Sequence, residues 1–134
     1  MEKETIKNIL SFIEKVDGSK MSIVWKIKNG LRLTEDELNI DDDLHLEFSK
    51  ITLLPEGLKV GGDLLLLGTP ITSLPEGLIV GGDLFLDYSK ITSLPKGLKV
   101  WGGLYIKNAP LKKYTDEQLR EMVKPGFIQG KINR

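Results

Sequence analysis

The chain has 134 residues, with 19 basic and 19 acidic side chains, a single histidine and no cysteine. That length fits one domain, the balanced charge removes any whole-molecule field toward nucleic acid or anionic membrane, and the missing thiol excludes disulfides, thiolate metal sites and a cysteine nucleophile. The charge is unevenly placed, since Leu31 to Leu67 holds nine acidic and three basic residues while Tyr88 to Arg134 holds three acidic and ten basic. The molecule is expected to have an acidic early half and a basic late end.

In chain order, "MEKETIKNILSFIEKVDG" has acidic residues in its first turn and an interrupted apolar pattern, unlike a signal peptide. No apolar run approaches the roughly 20 residues that span a bilayer. A cytoplasmic protein with no membrane contact is expected. Within this segment Ile6, Ile9, Leu10, Ile13 and Val16 share one helical face and Asp17-Gly18 forms a stop, which predicts an amphipathic helix over the first coil. "MSIVWKIK", from Met21, reads as a strand. "LRLTEDELNI" reads as a degenerate coil in which Leu38 and Ile40 align with Leu58 and Val60.

From Ile40 to Leu111 the chain repeats at a constant spacing of 20 residues. "LPEGLKVGGDLLLLGTPITS" begins at Leu54 and "LPEGLIVGGDLFLDYSKITS" at Leu74, with partial copies on both sides. Leu44, Leu64, Leu84 and Leu104 fall in one column and Leu46, Leu66, Leu86 and Ile106 in another. Alternation at period two makes each "LxL" a short strand with these side chains inward. Further inward columns hold Ile51, Ile71, Ile91 and Leu111; Leu54, Leu74 and Leu94; Leu58, Leu78 and Leu98; Val60, Val80 and Val100. One coil cannot close a core alone, so stacking the next upon it must do so. Pro55, Pro75 and Pro95 suit a turn. Gly61-Gly62 and Gly81-Gly82 mark a corner that needs positive φ or close approach to the neighbouring coil, and Gly57, Gly77 and Gly97 mark another. A phosphate-cradling role is disfavoured, because these glycines lead into a strand and not into a helix N-terminus. Near the end, Thr115 and Gln118 have capping-box spacing ahead of Leu119, Met122 and Val123, which predicts a second capping helix that stops before Pro125-Gly126.

This pattern, with Leu-Pro opening the turn and "LPxGLxVGGxLxL" as its kernel, resembles a short leucine-rich repeat of the kind found in bacterial effectors and in repeat proteins of bacteria and their phages. The usual asparagine position is held by Ser49, Thr69, Ser89 and Ala109, where Ser and Thr are expected to bond locally to backbone. The resemblance implies an α/β repeat solenoid: a small leucine-rich-repeat-like parallel sheet with N- and C-terminal helical caps. One domain is expected, divided as 1–39 (helix, strand and degenerate first coil), 40–111 (coils) and 112–134 (C-terminal cap). It implies no reaction; effectors of this type that ligate ubiquitin need a cysteine.

No catalytic residue is expected. His45 lies outward between Leu44 and Leu46 with Asp43 and Glu47 beside it, but Ser49 falls past the strand and nothing resembles a nucleophile turn. No metal site or cofactor is assigned. The Asp43, Asp63 and Asp83 column reads as turn residues accepting backbone N–H bonds, with a cation site or a partner contact as alternatives. The outward columns are more informative, running His45, Leu65, Phe85, Tyr105 and then Glu47, Leu67, Asp87, Lys107. Apolar and aromatic residues ringed by charge on a rigid sheet are what interface anchors look like. The expected site is therefore a partner-binding face of Leu65, Leu67, Phe85, Asp87, Tyr105 and Lys107, acting on another protein; the resemblance suggests an inhibitor or adaptor of a host protein. A homo-oligomer stacking its acidic end on its basic end is the competing reading. Single-stranded nucleic acid is disfavoured, because the aspartates would repel phosphate.

Overall fold

The computed structural model describes residues 22–134. The expected helix over Lys3 to Val16 lies outside the described residues. Helix α1 spans Ile23–Lys28, where a strand is expected from the sequence. Several local forces decide for helix. The Ser22 side chain accepts the Trp25 N–H at 3.1 Å, Ile23, Val24 and Ile27 turn together toward the core, and Asn29 and Gly30 (φ 69°) close the end. Lys26 then reaches Glu37 at 2.6 Å and ties the helix to the first coil. That hydrogen bond, and a second from the Thr34 N–H, hold the Glu37 carboxyl below its usual range.

The remainder is a repeat solenoid of stacked parallel strands. Each coil contributes one short strand to each of two sheets. The first sheet takes β1 (Asn39–Ile40), β3 (Lys59–Val60), β5 (Ile79–Val80), β7 (Lys99–Val100) and β9 (Phe127–Ile128), in that order. The second takes β2 (Leu44–His45), β4 (Leu64–Leu65), β6 (Leu84–Phe85), β8 (Leu104–Tyr105) and β10 (Ile132–Asn133). Leu44 pairs with Leu64, Leu64 with Leu84 and Leu84 with Leu104, so the sequence period of 20 is the ladder register. Leu38 and Ile40 do open the first coil, since Lys59 donates to the Leu38 carbonyl and Ile40 pairs with Val60.

All six expected inward columns are buried, from Leu44 and Leu46 through Leu58 and Val60 to their counterparts in later coils. Alternation in the second strand accounts for two columns; the paired Leu58 and Val60 columns line the first sheet, which the sequence reading does not foresee as a sheet. The Ser and Thr column is local as expected, with Ser49 donating to Leu46 O at 2.6 Å and Thr69 to Leu66 O at 2.8 Å. Gly57, Gly77 and Gly97 adopt φ between 74° and 81°, a left-handed corner that favours glycine.

The C-terminal segment departs from a simple cap. Helix α2 (Asp116–Met122) forms with its Thr115/Gln118 capping box and buries Leu119 and Val123. The chain then continues the solenoid. Lys99 pairs with Phe127 and Leu104 with Ile132, an offset of 28 residues in place of 20. The arc that contains the helix is therefore eight residues longer than in the other coils, and it is held by Arg120 donating to Gly130 O at 2.8 Å and by Arg134 on Asp116 at 2.7 Å. Among the described residues no helix is long and apolar enough to cross a membrane.

Two outcomes check this architecture. Leu66→Ala should lower stability by about 2–5 kcal/mol, the cost of a buried leucine cavity, whereas Ile79→Lys, at a half-buried outward position matching Lys59 and Lys99, should stay within about 0.5 kcal/mol; chemical denaturation measures both. Excising Leu64 to Asp83 joins Asp63 to Leu84 in register. The shortened chain should keep its circular dichroism and cooperative melt at lower stability, and removing two residues more or fewer should abolish both.

Candidate functional site

The site is built on the backbone ladder of the second sheet. Hydrogen bonds between coils continue past the two-residue strands: Leu44, Leu46 and Phe48 N–H donate to Asp63, Leu65 and Leu67 C=O, and the pattern repeats in the next two coils. Positions 43 to 48 of each coil thus form one extended, rigid ribbon. Its outward side carries parallel rows of side chains.

The first row is Asp43, Asp63 and Asp83. Each carboxylate Oδ1 accepts the backbone N–H of the equivalent residue in the next coil, Asp63, Asp83 and Gly103, at 2.7 Å in all three cases. The sequence reading places these bonds within the aspartate's own turn; they run between coils instead. The glycine before each donated N–H makes this geometry feasible, because a Cβ on Gly62, Gly82 or Gly102 would overlap the carboxylate of the coil below. Close approach, and not positive φ, is what this corner requires. Among the described residues no group of three or more His, Asp or Glu side chains is placed to hold a metal ion.

The second row is His45, Leu65, Phe85, Tyr105 and Asn133, neighbours in register. Phe85 and Tyr105 stack with ring centroids 4.4 Å apart and planes 14° from parallel. Each ring spends one broad face on the other. Leu65, Phe85 and Tyr105 are half-buried, and His45 is exposed with Nδ1 3.2 Å from Glu47 Oε1. Ser49, the remaining member of the Ser/His/Asp set weighed above, gives its hydroxyl hydrogen to Leu46 O.

The third row is Glu47, Leu67, Asp87 and Lys107. Asp87 Oδ1 accepts the Lys107 N–H at 2.7 Å, a second copy of the aspartate bridge. Glu47 makes no such bridge, and its Oε2 is buried without a hydrogen-bond donor among the described residues. All six residues expected at the site therefore lie on one continuous face.

Sequence reasoning missed the row beyond it. Phe48, Gly68, Tyr88 and Asn108 all have φ between 54° and 64°. This left-handed conformation costs a residue with a Cβ on the order of 1–2 kcal/mol. Glycine and asparagine at Gly68 and Asn108 are the signal that could have found the turn. Phe48 and Tyr88 adopt it while 76% and 52% exposed. The Phe48 ring overlies Gly68, where a Cβ would collide with it. On the first sheet a separate aromatic pair, Trp101 and Phe127, meets edge-on at 4.8 Å.

Compared with known protein families, curated proteins and solved structures, the chain matches none.

The aspartate row is tested by shape and charge together. Asp63→Ala should cost about 1–3 kcal/mol by orphaning the Asp83 N–H, and Asp63→Asn, which keeps an acceptor oxygen, should cost less than half of that in the same denaturation assay. Melting temperatures in excess calcium and in chelator should coincide, since a cation bound to the native state alone would raise the first.

Proposed function

We propose that the protein is a non-catalytic binding module that engages another protein through the outward face of its second sheet. The observation that carries this reading is the half-buried row of Leu65, Phe85 and Tyr105 on a ribbon fixed by backbone hydrogen bonds, with exposed, strained Phe48 and Tyr88 beside it. Strained backbone that places large rings in solvent costs stability without adding to the core. Contact with a partner supplies the compensating gain.

The face-to-face stacking of Phe85 and Tyr105 favours a protein partner over a stacked base or sugar, since one broad face of each ring is already occupied. A face about 20 Å along the chain and about 24 Å across five coils, from the usual strand rise and spacing, suits a modest interface. Anchors held in place before the partner arrives reduce the ordering cost of association. The likeness of the repeat to those of bacteria and their phages supports a cytoplasmic inhibitor or adaptor of a host protein. The separation of an acidic early half from a basic late end favours a second reading, end-to-end self-assembly. Salt separates the two: assembly between opposite charges should weaken strongly with ionic strength, an aromatic-centred contact much less.

With a partner captured from the native host, Phe85→Ala and Tyr105→Ala should each cost about 2 kcal/mol or more of binding free energy. Lys107→Ala at the rim should cost less and act on the association rate. Circular dichroism of each variant should be unchanged. Unaltered affinity for both aromatic variants would place the site elsewhere.

A further inference from the structure

The apolar row does not run through neutral ground. Across the first three coils it is bordered on one side by Asp43, Asp63 and Asp83 and on the other by Glu47 and Asp87, with Leu67 between those two. One oxygen of each aspartate is committed to a backbone N–H, which leaves the second oxygen and the net charge to the surroundings. Glu47 has no backbone bridge of this kind; its Oε1 lies 3.2 Å from His45 Nδ1, and its buried Oε2 has no donor among the described residues. Beyond the second border stand the Phe48 and Tyr88 rings. Carboxylates and aromatic faces are both acceptors for cations. Apart from Leu67, the groups flanking Leu65 and Phe85 in these coils therefore favour positive charge at about one side chain's distance from an apolar centre.

Spacing narrows the shape of what fits. Anchors on successive coils recur every ~4.8 Å along the solenoid axis. An α-helix laid along that axis repeats its apolar stripe every ~5.4 Å, so over the two steps from Leu65 to Tyr105 the mismatch is about 1.2 Å and a modest tilt removes it. An extended segment presents alternate side chains every ~6.6 Å and drifts out of step by about 3.6 Å, roughly three quarters of a coil, over the same two steps. We propose that the partner element recognised by this face is a basic amphipathic helix, lying along the solenoid axis with apolar residues on Leu65, Phe85 and Tyr105 and Lys or Arg on both flanks. This rests on the preceding assignment of the second sheet as the binding face. Helix-on-surface recognition through i, i+3 or i+4, and i+7 anchors is an established mode. The basic end of the face, Lys107 and Lys131, gives polarity, favouring the helix terminus nearest it to be the one with fewer cations.

The test uses three labelled synthetic peptides, each about five helical turns long: a Leu/Lys helix with Leu at i, i+3, i+4 and i+7, its Leu/Glu twin, and a Leu/Lys peptide of the same composition with that spacing scrambled. Fluorescence anisotropy against the full chain reads affinity. The Leu/Lys helix should bind about tenfold or more tightly than either control, a difference of about 1.4 kcal/mol. Phe85→Ser and the doubly neutralised Glu47→Gln/Asp87→Asn protein should each weaken it about tenfold with unchanged circular dichroism. Asn at 87 keeps an acceptor for the Lys107 N–H, so the second variant should remain folded even if others do not. Equal binding of the Glu twin or the scrambled peptide overturns the proposal. If the Leu/Lys helix fails while a natural partner still loses affinity on Phe85→Ser, the helix is wrong and the face stands. If the helix binds and Phe85→Ser has no effect, both fall.

Discussion

A carboxylate oxygen that fits into the space a missing side chain leaves, and takes its hydrogen from the backbone one coil away, is the interaction on which the geometry of this protein depends. Asp43, Asp63 and Asp83 each enter the volume vacated by a glycine of the next coil and close on the N–H that follows it. Charge-assisted bonds of this length are among the stronger ones a protein makes. Because glycine and aspartate are needed on adjacent coils at a fixed offset, a coil displaced from this register would lose the bond. The same offset sets the inward columns over one another. Register, core and surface rows thus share one origin.

This division leaves the outward positions unusually free. Cohesion between coils comes from buried leucines, the backbone ladder and the aspartate bridges, so the side chains between them can vary at little cost to folding. They do vary, from His45 to Leu65 to Phe85 to Tyr105, while the inward columns barely change. The left-handed turn beyond the strand behaves differently. Gly68 and Asn108 suit it, whereas Phe48 and Tyr88 occupy it against their preference. A rigid ladder on either side imposes the conformation whatever residue stands there, because the Phe48, Gly68 and Tyr88 N–H groups are all tied to the next coil. Surface chemistry here is written onto a backbone that does not respond to it.

What could be read from the sequence followed from periodicity. A spacing of 20 residues with alternating leucines located the second sheet and its register, and the outward residues at positions two apart were placed correctly because strand geometry leaves no other choice. The first sheet escaped because the alternation of Leu58, Lys59 and Val60 covers only three residues, too short a run to tell a strand from a turn. "MSIVWKIK" misled for the opposite reason: its alternation suggests a strand, but the Ser22 cap and the closing Asn29-Gly30 are local signals for helix. Phe127 to Asn133 keeps only Gly130 and the apolar Ile128 and Ile132 of the repeat, at a spacing of 28 instead of 20, and its place in both sheets is visible only once the Lys99 and Leu104 partners are known. The inter-coil course of the aspartate bonds was similarly hidden, since aspartate beside glycine fits a local turn equally well.

The enlarged last coil has a consequence for how such a molecule can change. The arc that carries helix α2 is eight residues longer than its counterparts, yet β9 and β10 return to the positions that an unenlarged coil would fill. Length and register are therefore uncoupled on the arc that leads from the second sheet back to the first, while the short corner from Val100 through Gly103 to Leu104 admits no such freedom. The solenoid has one seam that can be let out and one that cannot. Novel segments can enter through the first without altering the surface displayed by the second sheet, so the protein can acquire a new lateral feature and keep its existing recognition face intact.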